Sequence, residues 1–166
     1  MTAAPWDTDE IEARMRPGRL SRLGFLGPDE RLADVLAHDE ATMRDLGLSY
    51  TQVAGVLTDL LGRAEGSPGR RVIVDQRFDV SVAVYKGFQL CPWAASPHRR
   101  QCDAGGGPRF ASLDWTIRNL RTGQQEHGPG LLEHLVGAHH FFEGEQSPYR
   151  VAPASLAALL ELNPPG

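Results

Sequence analysis

The sequence predicts an α+β fold: an N-terminal helical hairpin, a three- or four-stranded antiparallel meander, and two C-terminal helices. Three observations carry that expectation. Apolar residues recur at helical spacing through residues 29–65, alternate with polar or small residues between Val72 and Ile117, and return to helical spacing after Gly130. With 166 residues, 41% hydrophobic and 23% charged, the chain has the balance of a domain able to bury a core.

Taken in order, residues 1–28 read as a flexible arm. They hold Pro5, Pro17, Gly18, Gly24, Gly27 and Pro28 and little periodicity beyond a short helix at Asp9–Met15. A single α+β domain then fills residues 29–162. Leu32, Val35, Leu36, Met43 and Leu46 make the first helix of the hairpin, with Asp29 and Glu30 placed in its first turn, where the dipole favours anions. Gly47 suits a left-handed stop. Ser49 and Gln52 form a capping box for the second helix, whose buried stripe is Val53, Leu57, Leu60 and Leu61. Two helices joined so tightly invite a helix-turn-helix reading. The exposed side of the second one offers Thr51, Gln52, Gly55, Thr58 and Asp59, a poor set for reading base edges, so a plain hairpin is expected.

The sheet is placed at residues 70–127. Val72 and Val74, then Val80, Val82 and Val84, give two strands joined at Asp75-Gln76-Arg77; Leu113–Asn119 gives a third and Gln124–His127 a fourth. A histidine-bearing helix follows at 130–142, Tyr149–Val151 reads as a brief edge strand, and Pro153 opens a last helix at 153–162.

Composition bounds function only loosely. No apolar run approaches the ~18 residues of a membrane span, and the acidic stretch Met1–Met15 lacks the apolar centre of a secretory signal. A cytoplasmic protein with no membrane partner is expected, and its two cysteines are expected to be reduced. Arginine supplies every basic side chain except Lys86, which with the Ala, Gly and Pro content points to a GC-rich bacterial genome.

Net charge is −4 but unevenly spread: Lys and Arg number 6 against 11 acids over residues 1–61, 10 against 5 over 62–125, and 1 against 5 over 126–166. The basic centre could attract nucleic acid or an acidic protein through Trp93, His98, Arg99, Arg100, Arg109, Arg118 and Arg121. Alternatively the acidic flanks neutralise the sheet they pack on, and the sequence pI of about 5.8 favours that.

Chemistry concentrates between Gly87 and Phe142. Cys91 and Cys102 are the only cysteines, and His134, His139 and His140 follow on one helix. Two cysteines on β structure and then His-x4-His on a helix have the order of a ββα zinc finger. The spacing differs: ten residues between the cysteines, and 31 from Cys102 to His134. A knuckle would also place cysteine at position 94, which is Ala94. At about 100° per residue His134 and His139 lie about 140° apart, so they converge only if the helix tightens or frays past Gly137. A structural zinc held by Cys91, Cys102, His134 and His139, with His140 as the alternative to His139, competes with two buried thiols among ordinary core histidines.

The function expected is that of a non-enzymatic binding protein stabilised by such a site. The enzymatic alternatives are a thiol enzyme, pairing Cys91 or Cys102 with His134 or His139, and a metal hydrolase using the histidines with Glu133 and Glu143. No H-E-x-x-H is present, and Gly105-Gly106-Gly107 lacks the Lys-Ser/Thr of a phosphate loop. The runs Tyr85–Trp93, Trp115–Gly123 and His134–Gly144 together resemble an uncharacterised family of small bacterial proteins. That resemblance spans residues 30–162, carries no activity or cofactor, and implies that the three runs form one site or one core junction.

Overall fold

The structure, a computed structural model, describes residues 7–94, 102 and 110–162. Among the described residues, five helices and a four-stranded antiparallel sheet make an α+β fold: α1 Thr8–Met15, α2 Leu32–Leu46, α3 Tyr50–Glu65, β1 Val72–Val74, β2 Phe78–Leu90, β3 Phe110–Asn119, β4 Gln125–Pro129, α4 Leu132–His139 and α5 Pro153–Leu160. The strands pair in chain order, β1-β2-β3-β4. Among the described residues no helix is long and apolar enough to cross a membrane.

Local chemistry explains most element boundaries. Gly47 closes α2 in the left-handed region at φ 68, and the Ser49 hydroxyl accepts from the Gln52 amide at 3.0 Å to open α3. Asp75 and Gln76 both have positive φ, as a tight primed turn between β1 and β2 requires. Register then places Val80 against Ile117 and Val82 against Trp115, so one face of the sheet is largely apolar, with Asn119 opposite Phe78 and Glu126 opposite Ile117 as its polar members. That face packs on α3, α4 and α5 around the fully buried Trp115, whose indole nitrogen donates to the Pro129 carbonyl at 2.9 Å. Gly128 lies against the Trp115 ring, leaving no room for a side chain, and β4 runs on through Gly128 and Pro129 instead of ending before them.

Several expectations move. The α2 helix begins at Leu32, after Asp29 and Glu30 rather than on them. The Glu30 carboxylate instead accepts from the backbone amides of Gly27, Glu145 and Gln146 at 2.9, 2.7 and 2.7 Å, with Glu145 and Gln146 more than a hundred residues away. Beyond Gly47 the two helices part company: α2 lies on α5, and α3 on α4 and the sheet. Tyr149–Val151 forms no strand, because Ser147 and Arg150 close a turn there.

Residues 7–28, read as a loose arm, are packed. Ile11, Met15, Phe25 and Leu26 are each 2% exposed or less. They build a second apolar cluster, apart from the one under the sheet, with Leu131, Leu135, Phe141, Trp93 and both cysteines. The periodicity of that stretch is weak because its apolar residues come from a helix and a return segment, and neither alone makes a stripe.

Candidate metal centre

Cys91 stands immediately after β2, where the strand ends at the pair Leu90–Phe110. On the way there β2 shifts register, with residues 85–88 set against the single residue Ser112 of β3. A tight turn follows, closed by the Ala94 amide donating to the Cys91 carbonyl at 3.0 Å. Cys102 belongs to the connection between β2 and β3, and both thiols are free and buried, at 2% and 6% exposure. The opposite wall is α4, buried on nearly every side: Leu132, Glu133, His134, Leu135, Val136 and His139 are all inside.

The ligand-type atoms of Cys91, Cys102, His134 and His139 all lie within 4.8 Å of one another, an arrangement compatible with a metal site. Both sulfurs face the same atom: His139 Nε2 is 3.4 Å from Cys91 Sγ and 3.3 Å from Cys102 Sγ. The His134 ring meets the His139 ring edge-on, with centroids 5.0 Å apart and planes at 85°. Trp93, two residues beyond Cys91, lies flat against the His139 imidazole at 4.2 Å and 5°. His140 is not part of the centre. It takes the left-handed cap of α4 at φ 60 and stacks on Tyr50 at 3.9 Å.

The two histidines converge by a route the sequence did not show. Where α2 stops, Gly47 bonds back to Arg44 and Leu48 to Met43. Where α4 stops, His140 bonds back to Val136 and Phe141 to Leu135. Each of the latter spans one residue more, so the last turn of α4 is widened, neither tightened nor frayed. A wider turn advances the chain by less than 100° per residue and swings His139 back toward His134.

Electrostatics suit ligands more than catalysts. Burial, then the neighbouring His134 and His140, hold His139 down to about 3, so the imidazole is neutral with a lone pair to offer. Burial, then the nearby Cys102, push Cys91 up to about 12 in the absence of a cation. A thiol so placed is a poor nucleophile at neutral pH, and Cys91 ionises readily only if a cation arrives to compensate.

Of the basic contact surface drawn from the sequence, Trp93, Arg118 and Arg121 are among the described residues. Trp93 is 7% exposed and part of the centre, stacked in the core. Arg118 is exposed on the open sheet face. Arg121 pairs with Glu161, as does Arg77 at 2.8 Å, and Arg71 pairs with Asp79, so much of the central positive charge is met by this chain's own carboxylates. His98, Arg99, Arg100 and Arg109 lie outside the described residues.

Glu143, four residues past His139, stands outside the centre. Its side chain is fully buried, neither carboxyl oxygen has a hydrogen-bond partner among the described residues, and burial holds its pKa well above the ordinary value. A raised folded-state pKa means the folded chain holds a proton that the unfolded chain has already lost above about pH 4.3. Stability should therefore fall as pH rises, by about 1.4 kcal/mol per unit from pH ~4.3 up to the folded-state pKa. Glu143→Gln mimics the protonated acid and should match the wild type at pH 4 while melting higher at pH 8. Melting curves of the two proteins that stay parallel across that range would rule this out.

Comparison of the chain with protein-family models, with curated proteins and with solved structures found no match. The functional reading therefore rests on the centre's own geometry.

Proposed function

We propose that Cys91, Cys102, His134 and His139 bind one zinc ion as a structural centre in a non-enzymatic protein. The observation that carries this is the convergence of two sulfurs on one nitrogen. Without metal, Cys91 also leans on the Trp93 and Ala94 backbone amides and on the Cys102 thiol, while one imidazole nitrogen can donate one proton or offer one lone pair and so cannot bond both sulfurs at once. A cation satisfies both. With Zn–S about 2.3 Å and Zn–N about 2.05 Å at tetrahedral angles, sulfur and nitrogen ligands sit about 3.6 Å apart, and the separations here are 3.4 and 3.3 Å. Soft thiolates with imidazoles favour zinc over oxygen-seeking cations such as magnesium or calcium.

Four protein donors fill a tetrahedral shell and leave no position for water or substrate, which separates a structural site from a hydrolytic one. The ion would fasten the end of β2 and the β2–β3 connection, whose Cys91 and Cys102 lie outside the core under the sheet, to α4, whose Leu132 and Val136 lie within it. The same geometry weighs against a thiol enzyme, since the thiols are buried and Cys91 is held protonated.

The test is metal analysis of protein purified without a histidine tag. About one zinc per chain is expected, with removal by a strong chelator lowering the melting temperature. Metal-free protein that ignores added zinc in a melting experiment would overturn the assignment.

A further inference from the structure

The N-terminal segment packs into the same apolar cluster as the two cysteines. Ile11 and Met15 of α1, with Phe25 and Leu26 of the returning chain, form a single apolar cluster with Cys91, Trp93 and Cys102. These four N-terminal residues are 2%, 0%, 1% and 0% exposed. The segment is tied at identifiable points. Arg14 Nε donates to the Pro92 carbonyl, within the turn that bears Cys91, at 2.7 Å. The Phe25 and Leu26 amides both donate to the Met15 carbonyl, at 2.8 and 3.1 Å, and the Gly144 amide donates to the Phe25 carbonyl at 2.7 Å. Glu12 accepts from the Leu32 amide at 2.7 Å, supplying the cap that Arg31 does not give α2.

An eight-residue helix is too short to persist in water without packing, so α1 depends on these contacts. Its buried side chains belong to the cluster around the cysteines and not to the core under the sheet. It can therefore detach without dismantling that core, in the manner of a local opening. We infer that residues 8–26 form a lid over the cysteine side of the metal centre, and that lid opening sets how fast metal and thiol-directed reagents reach it. The metal half of this inference rests on the zinc reading above; the thiol half does not.

Arg14→Ala removes one tie and Ile11→Ala loosens the apolar seat. The experiment uses the full chain and two probes. Zinc-loaded protein is mixed with excess chelator and the rate of zinc transfer is followed. Separately, metal-free protein is mixed with an aromatic disulfide reagent and the rate of thiol release is followed. Arg14→Ala is expected to speed both by roughly tenfold, the upper range for losing one part-buried hydrogen bond from an opening equilibrium. The double variant should be faster again, with the far-ultraviolet helix and sheet signal retained. Should the double variant lose that signal, Arg14→Ala alone decides. Rates within twofold of wild type for Arg14→Ala, in both probes, would overturn the lid. A wild-type protein that takes up no zinc, yet whose thiols react faster in Arg14→Ala, would instead sink the zinc reading and keep the lid.

Discussion

Cys102→Ser is expected to abolish zinc binding and to lower the melting temperature by roughly 8–16 °C relative to the zinc-loaded wild type. The size follows from mass action. An ion held by the folded chain at free concentrations a thousand times its dissociation constant adds about 4.1 kcal/mol, and in a chain of this length each kcal/mol moves the melting temperature by about 2–4 °C. Serine is smaller and harder than cysteine, and its hydroxyl stays protonated beside a neutral imidazole, so the site loses both a donor and a negative charge. Cys91→Ser should behave alike, since both sulfurs lie at nearly equal distances from His139 Nε2. The deciding control is the chelator. Wild type stripped of metal should melt close to Cys102→Ser, and chelator should leave the variant unchanged. If Cys102→Ser instead melts with the zinc-loaded wild type, the two thiols are ordinary core residues.

The same comparison bears on why metal would be needed. The last turn of α4 is widened, and the cap residue His140 sits in the left-handed region without being glycine. Glu143 follows in that region too, at φ 70. Each such residue costs of order 1 kcal/mol or more. A strained stretch at the end of an eight-residue helix persists only when its surroundings hold it. Coordination of His134 and His139, which the widened turn brings together, would do that directly. The strain and the ligands are thus one structural unit, and the segment from Leu135 to Glu143 should be the first to lose hydrogen-exchange protection when metal is removed.

What the sequence revealed follows the range of each interaction. The alternating valines, the Ser49 cap and the Gly47 stop are local patterns, and the structure reproduces them. The order of two cysteines and two histidines was also legible, because residue type alone marks metal-ligand chemistry. The convergence of His134 and His139 was not, since an ideal helix separates them and only the backbone bonds of Phe141 and His140 reveal the wider turn. The N-terminal segment misled for a related reason. Its prolines and glycines mark a chain that reverses, as Gly24 does with its backbone pressed on Met15 and Pro17, and such reversals resemble disorder in composition. Trp93 read as a surface aromatic because nothing in its neighbours shows a histidine 46 positions later lying against its face. Arg14 reaching Pro92 and Glu30 reaching Gln146 likewise have no local signature.

Arg150→Met is expected to cost about 3–5 kcal/mol, the range found when one partner of a buried ion pair is removed. Asp39 sits on α2 with its side chain 1% exposed, and Arg150 is 12% exposed on the segment between α4 and α5. The guanidinium donates through two nitrogens to the two carboxylate oxygens, at 2.9 and 2.7 Å, and through one of them to the Glu143 carbonyl at 2.7 Å. Such a fork holds three parts of the chain in register: α2, the end of the α4 segment and the approach to α5. Removing the arginine leaves the Asp39 carboxylate in the interior with only the exposed His38 ring beside it, at 3.5 Å, and that penalty, more than the lost attraction, accounts for the expected size. Adding Asp39→Asn should therefore restore a substantial part of the loss, because the double variant buries no net charge. Equal melting temperatures for Arg150→Met with and without Asp39→Asn would assign the cost to the lost Glu143 carbonyl bond and side-chain packing instead. A wild-type-like Arg150→Met would show that the pair contributes nothing net and that α2 is held on α5 by apolar contact alone.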